Sequence, residues 1–367
     1  MHGRGYVNNG DKIAAEYMAG QLKHFKLNHF RKNYFQIFSL DINTFPSDVE
    51  LFVDGKKLIP GKDFIVGPES GSYKGKLNLL FVNSTDAKTA ETHSHDAMVV
   101  ADKSPTALYS DSPVQLILKK KLTGELSTNK PGRSVTIYIL DSLLPPPLSK
   151  EIDIDVKNKF IQHFQTQNCI GYIKGTQFPD SFLVFSAHYD HLGQMGKNVY
   201  FPGANDNASG CSMLLNLVKY YSEHPQKYSI AFIAFGAEEA GLVGSNYYVE
   251  HPLFPLKQIK FLVNLDLLGT GNEGITVVNG SVFKTEFDML TKINEEKKYL
   301  SQIKIRGKAA NSDHYHFSEN GVKCFFIYTL GGIKAYHDVY DRPETLPLTA
   351  FENVFHLLTD FTEQLQK

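Results

Sequence analysis

Apolar positions along this chain fall into two textures. Residues 12–25 place Ile13, Ala14, Tyr17, Met18 and Leu22 on one side at helical spacing, which predicts an opening helix. Between residues 34 and 142 the apolar runs are short and strand-like: FQIFSLDI, VELFVDG, DFIVG, LNLLFVN, AMVVAD, VQLILKK and SVTIYIL. Turn formers such as Asp54-Gly55, Pro60-Gly61 and Glu69-Ser70-Gly71 separate them, so the stretch reads as a β-rich insert. Leu144-Pro145-Pro146-Pro147 closes it as a stiff, extended connector.

Beyond the connector the pattern alternates. Apolar runs at 171–173, 182–187, 229–235, 261–265, 274–278 and 323–328 predict strands. The stretches SGCSMLLNLVKYYSEH, AGLVGSNYYVEH, VFKTEFDMLTKINEEKKY and LTAFENVFHLLTDFTEQLQ predict helices between or after them. Such alternation predicts an α/β fold: a mixed, mainly parallel sheet sandwiched by helices. Residues 1–33 and 143–367 are expected to form this larger domain, with 34–142 as the inserted β-rich one. Single cores stop growing at roughly 250–300 residues, which also favours two domains.

Composition narrows the function classes. A formal net charge of -1 over 367 residues argues against a nucleic-acid partner. No run approaches the roughly 20 apolar residues that cross a bilayer. The opening MHGRGYVNNGDKIAAEY has neither a charged leader nor an apolar core, and reads as a chain trimmed of an export signal. Cys169, Cys211 and Cys324 each lie in or beside an apolar run, as small core residues do. Sequons occur at Asn83, Asn207 and Asn279, and a glycan on Asn207 would crowd Asp206.

Candidate chemistry sits at the ends of the predicted strands, where ligands bind in open α/β sheets. His188 follows VFSA, Glu238-Glu239 follow AFIAFG-Ala237, and Asp266 follows FLVNL. Asp206 stands in PGANDNASG among small neighbours that leave room for ions, and His337 stands in AYHDVYD. Two divalent ions roughly 3.5–4 Å apart need a ligand that touches both, which a carboxylate does and an imidazole does not. Asp206 is the candidate bridge, although Asn-Asp-Asn alone reads equally as a turn and helix cap. His188 is expected to be a ligand whose other ring nitrogen is held by Asp190, with His191 a hydrogen-bonding neighbour. Adjacent side chains after a strand diverge, so one of Glu238 and Glu239 can bind metal while the other moves a proton. Taken alone, that pair is an ordinary acidic helix start. Asp266 ends an apolar run, where an uncompensated carboxylate is costly and the only nearby cation, Lys260, lies at the far end. Mixed nitrogen and oxygen donors suit zinc better than magnesium or calcium.

The ordered series AHYD, PGANDNASG, GAEEAG, NLD and YHDVYD resembles the M28 family of zinc aminopeptidases over residues 1–33 and 148–367. The resemblance implies two Zn2+ ions: His188 and Asp266 at one, Glu239 and His337 at the other, Asp206 bridging. It also implies Glu238 as general base toward metal-bound water, Asp190 as partner of His188, and a cis peptide at Asp206-Asn207. Relatives often carry a protease-associated domain where the insert lies. Substrates would be peptides with a free N-terminus, and the location extracellular or periplasmic. Ser312-Asp313-His314 looks like a recurrent family segment without an assigned role. Competing readings are a glutaminyl cyclase on the same scaffold, a carboxypeptidase or dipeptidase, and a non-catalytic binding protein that uses the insert as its surface. Cyclases surround their substrate with tryptophan. This chain has none, and Tyr336 precedes His337 where they commonly place one. A binding protein would be expected to have lost ligands, and none is missing.

Overall fold

The computed structural model describes residues 3–82, 95–101, 112–144 and 150–367. Its larger sheet contains Phe35–Thr44 (β1), Lys159–Ile173 (β2), Phe178–His188 (β3), Tyr228–Phe235 (β4), Ile259–Leu265 (β5), Ile275–Val278 (β6), Ile303–Ile305 (β7) and Cys324–Thr329 (β8). Spatial order is β1-β2-β4-β3-β5-β8-β6-β7. The central run β4-β3-β5-β8 is parallel, as is β6 with β7, and the remaining pairs are antiparallel. This is the mixed sheet that the alternating pattern predicts.

Its helices are Gly10–His24 (α1), Gly210–Glu223 (α2), Val243–Glu250 (α3), Lys284–Lys297 (α4), His314–Glu319 (α5) and Phe351–Gln364 (α6). Strand side chains alternate between faces, so a doubly covered strand must be apolar at every position. In β3, Leu183, Phe185 and Ala187 pack with α1, α2, α4 and α6, while Phe182 and Val184 pack with α3 and α5. All three cysteines are buried and unpaired, as expected of core residues. No helix among the described residues is long and apolar enough to cross a membrane.

A second sheet has the order 56–57, 50–53, 151–156, 73–82, 97–101, 114–119, 135–140, 64–66. The pairing corrects both expected limits of the insert. Residues 35–44 belong to the larger sheet, because β1 runs antiparallel to β2 from Phe35↔Cys169 to Thr44↔Lys159. Residues 151–156 belong to the second, between strands 50–53 and 73–82. The chain therefore crosses between sheets at 45–49 and 157–158, not at 34 and 142. Pro145 to Pro147 and the sequon at Asn83 lie outside the described residues.

One buried carboxyl in this framework carries a measurable consequence. Asp11, in the first turn of α1, is 1% exposed. Burial pushes it from the ordinary 3.8 up to about 6, against hydrogen bonds from the Lys12 amide and the Thr166 hydroxyl. A raised carboxyl pKa stabilises the fold at low pH and ceases to do so as pH rises through the folded value. Asp11→Asn is expected to gain about 2–3 kcal/mol at neutral pH and almost nothing below the free carboxyl's pKa. Urea midpoints at the two pH values measure this, and an equal gain at both would contradict it.

Candidate metal centre

The expected ligands come together at the carboxyl ends of the parallel strands. His188 is the last residue of β3, Asp266 follows β5, and Glu238-Glu239 lie just past β4. Asp206 lies in the turn leading into α2, and His337 in the loop after β8. Asp206 faces both imidazoles: Oδ1 lies 3.3 Å from His188 Nε2, and Oδ2 lies 3.0 Å from His337 Nε2. Asp266 Oδ1 is 3.4 Å from His188 Nε2, and Glu239 Oε2 is 3.1 Å from His337 Nε2. One carboxylate thus lies between the two imidazoles.

Proximity alone divides the cluster differently. Donor atoms of His188, Asp206 and Glu239 lie within 4.8 Å of one another, and so do those of His188, Glu238 and Asp266. The split of Asp206 between two imidazoles is the better guide, because Glu238 Oε2 reaches only 4.0 Å from His188 Nε2.

Backbone acceptors settle the ring orientations. His188 Nδ1 lies 3.2 Å from the Asp190 carbonyl, closer than the 3.7 Å to the Asp190 carboxylate. A carbonyl only accepts, so Nδ1 carries a proton and Nε2 is the nitrogen that faces the carboxylates. The Asp190 carboxylate instead accepts the backbone N–H groups of Glu238 and Glu239 at 3.1 and 3.2 Å. It therefore fixes the Glu pair more directly than it fixes His188. His191 Nδ1 meets Glu239 Oε1 at 2.6 Å, the neighbour role expected of it.

Asp266 is oriented by a buried chain of donors. Ser186 Oγ donates to Asn264 Oδ1, Asn264 Nδ2 donates to Ser312 Oγ, and Ser312 Oγ donates to Asp266 Oδ2. Ser312 thereby acquires a role that its sequence segment did not disclose. Among the described residues nothing donates a hydrogen bond to the buried Asp266 Oδ1. An orphaned acceptor beside two imidazoles and further carboxylates fits a cation.

Electrostatics agree with that fit. Burial opposes charge on both histidines, yet Glu238 and Asp266 raise His188, and hydrogen bonds to Asp206 and Glu239 raise His337 to about 11. Burial likewise pushes Asp206 upward, but the His188 and His337 hydrogen bonds hold it well below the carboxylate range. Glu238 moves the other way: burial first, then Glu239, Asp313 and Asp266, raise it well above normal. The centre favours added positive charge and pushes Glu238 toward its protonated form.

Three supporting groups escaped sequence reasoning. Arg4 donates to the carbonyls of Tyr189, Pro202, Gly203 and Asp206 at 2.7–3.0 Å, stitching two ligand loops together. Asp341 accepts the amides of Asn205 and Asp206 at 2.8 and 3.0 Å. Asn207 is fully buried, donates to Leu265 O and accepts from Gly210 N, which leaves no room for a glycan. A Cβ at Gly210 would lie 2.2 Å from Asn207 Oδ1, so this close turn requires glycine. The Asp206-Asn207 peptide is cis, as the resemblance implied.

Fold and donor cluster place the chain among α/β proteins that carry a metal-binding set at the strand tips. Within that class it belongs to peptidase family M28, whose description matches residues 168–362. Aminopeptidase YwaD of Bacillus subtilis is 31% identical over 68% of this chain, and the match spans 52% of that protein. A vacuolar membrane protease of Candida dubliniensis is 25% identical over 53% of this chain and 19% of its own length. The chain thus spans about half or less of these relatives. BSAP, a zinc aminopeptidase from Bacillus subtilis, superposes with TM-score 0.72 at 22% identity, covering 98% of this chain and 89% of that one. A peptidase M28 precursor from Shewanella amazonensis gives 0.77 at 13% identity, covering 100% and 90%. At those identities the likeness is one of fold.

Proposed function

We propose that the chain is a zinc-dependent aminopeptidase that removes N-terminal residues from peptides. Asp206, with one oxygen toward His188 and the other toward His337, is the observation that carries the reading. His188, Asp266 and Asp206 would hold one Zn2+, and His337, Glu239 and Asp206 a second. When bound, the ions supply Lewis acidity, polarising a peptide carbonyl and acidifying a water. Glu238 is the residue that moves the proton: its carboxylate takes one from the attacking water and returns it to the leaving amine. Asp190 holds the backbone on which Glu238 is mounted, and the Ser312 hydroxyl keeps Asp266 aimed.

The cavity at the centre measures 200 Å3 and is lined, beyond the donors, by Leu267, Asn311, Phe326, Tyr328 and Tyr336. Tyr336 stacks on His337 at 4.0 Å between ring centroids. Leu267, Phe326, Tyr328 and Tyr336 give the cavity an apolar and aromatic wall beside the donors, which suits an apolar side chain. Leucyl substrates are expected to exceed glycyl ones in kcat/KM by about 10-fold or more. A panel of aminoacyl anilides reads this out, and a preference for aspartyl or lysyl substrates would refute it.

The function itself is tested with one peptide in free, N-acetylated and C-amidated forms, with and without chelator and added zinc. The reading expects loss of the first residue from the free and amidated forms only, abolished by chelation and restored by zinc. Cleavage that depends on a free carboxyl terminus would favour a carboxypeptidase. Ammonia release without cleavage from a Gln-initiated peptide would favour a cyclase.

A further inference from the structure

We infer that the second sheet is a working part of the metal centre: its loop 120–134, through the backbone of Gly124, holds His337 in the tautomer that ligation requires. The inference rests on the two-ion reading above.

The backbone carbonyl and Nδ1 of His337 find their partner outside its own sheet. The residue lies at φ 53° in the loop after β8. Its backbone carbonyl accepts the Gly124 N–H at 2.7 Å, and its Nδ1 meets the Gly124 carbonyl at 3.1 Å. One residue of the insert therefore grips both the main chain and the ring. Since the carbonyl only accepts, Nδ1 must carry a proton, so Nε2, which faces Asp206 Oδ2 and Glu239 Oε2, is the nitrogen left to give up its own proton and ligate. In the other half-site the equivalent acceptor is the Asp190 carbonyl, two residues past the ligand itself. The half-sites thus differ in origin: one is self-contained in the larger sheet, and the other borrows its orienting acceptor from the second.

Two further contacts fasten the same loop. Lys121 Nζ donates to the Lys334 carbonyl at 2.7 Å and lies 3.3 Å from Asp338 Oδ2, bracketing His337 on both sides. Val339 is buried in the second sheet's core, in the cluster that contains Leu122, Leu192 and Phe201. Gly124 is tightly enclosed there: a Cβ would lie 2.9 Å from Leu192 Cδ1 and 3.1 Å from Phe201 Cε1. A larger residue must displace these side chains or the backbone that grips His337, and valine, branched at Cβ, presses on both, while His188 and Asp266 keep their own supports.

Calorimetric titration of the metal-stripped 367-residue chain with Zn2+ tests this. The wild type is expected to take up two ions. Gly124→Val is expected to weaken one of them by about 10- to 100-fold, the usual effect of disturbing a ligand's orienting partner, and to leave the other unchanged. Lys121→Gln, an exposed change that spares the core, is expected to weaken the same ion more mildly, with Lys121→Arg restoring it. Should Gly124→Val fail to fold, the Lys121 pair decides. Wild-type affinity for both ions in folded Gly124→Val, or in Lys121→Gln where that variant alone is folded, overturns the inference. Equal weakening of both ions also overturns it, since that is what general loosening would do. A wild type that binds fewer than two ions defeats the two-ion reading, and the inference with it.

Discussion

Glu238→Gln is expected to lower kcat by about 10²- to 10⁴-fold, the contribution of a positioned general base, while zinc content and KM stay near wild type. Glutamine preserves the shape of the side chain and removes its capacity to accept a proton. Glu238 fits that role because its surroundings raise its affinity for a proton: it is buried, and Glu239, Asp313 and Asp266 lie around it. It also lines the cavity beside His188 and Asp266, so its carboxylate faces the reacting space. The measurement pairs steady-state kinetics with metal analysis of the same preparation. Full turnover would remove Glu238 from the mechanism. Loss of an ion would instead make it a ligand, the division that simple proximity to His188 and Asp266 allows. Only lost turnover with retained metal supports the proposed roles.

The parts of this molecule legible in sequence share a property: their signal is local. Buried parallel strands such as Ser229 to Phe235 are continuous apolar runs, and each candidate ligand follows such a run or a glycine-rich turn. The insert's limits were illegible because strand texture does not say which sheet a strand joins. FQIFSLDINT alternates as the second sheet's strands do, and only its pairing with residues 159–173 assigns it to the larger sheet. EIDIDV at 151–156 follows the prolines yet pairs back into the insert, so a stiff connector was not a domain limit. Arg4 and Asp341 gave no signal at all, because their partners are carbonyls and amides of loops brought near only by folding. Gly124 was invisible for the same reason. What a ligand contacts can be guessed from chemistry, but what holds the ligand still depends on long-range packing.

Asp206→Asn is expected to reduce zinc from two ions to one at most and to abolish detectable peptidase activity. The substitution leaves one oxygen, which serves a single half-site, and puts an amide N–H₂ where the other imidazole or ion would face an oxygen. It also deletes a negative charge from the one position that touches both halves. Proton linkage supplies an independent readout. In the metal-stripped protein burial opposes a charge on His337, but Asp206 and Glu239 raise it to about 11. That proton is therefore bound at neutral pH, whereas an imidazole that ligates zinc through Nε2 cannot keep it. A raised histidine pKa stabilises the stripped fold fully below the ordinary 6.5, and this contribution is lost as pH rises through the folded value. Zinc uptake between those limits should release a proton from His337, seen in calorimetry as a heat that varies with the buffer's ionisation enthalpy. With one of its two carboxylate partners neutralised, Asp206→Asn should show a smaller release and a lower His337 pKa. An unchanged zinc count would show that Asp206 does not join the two halves of the centre, and zinc uptake by the wild type with no proton release would show that His337 does not give up a proton to ligate.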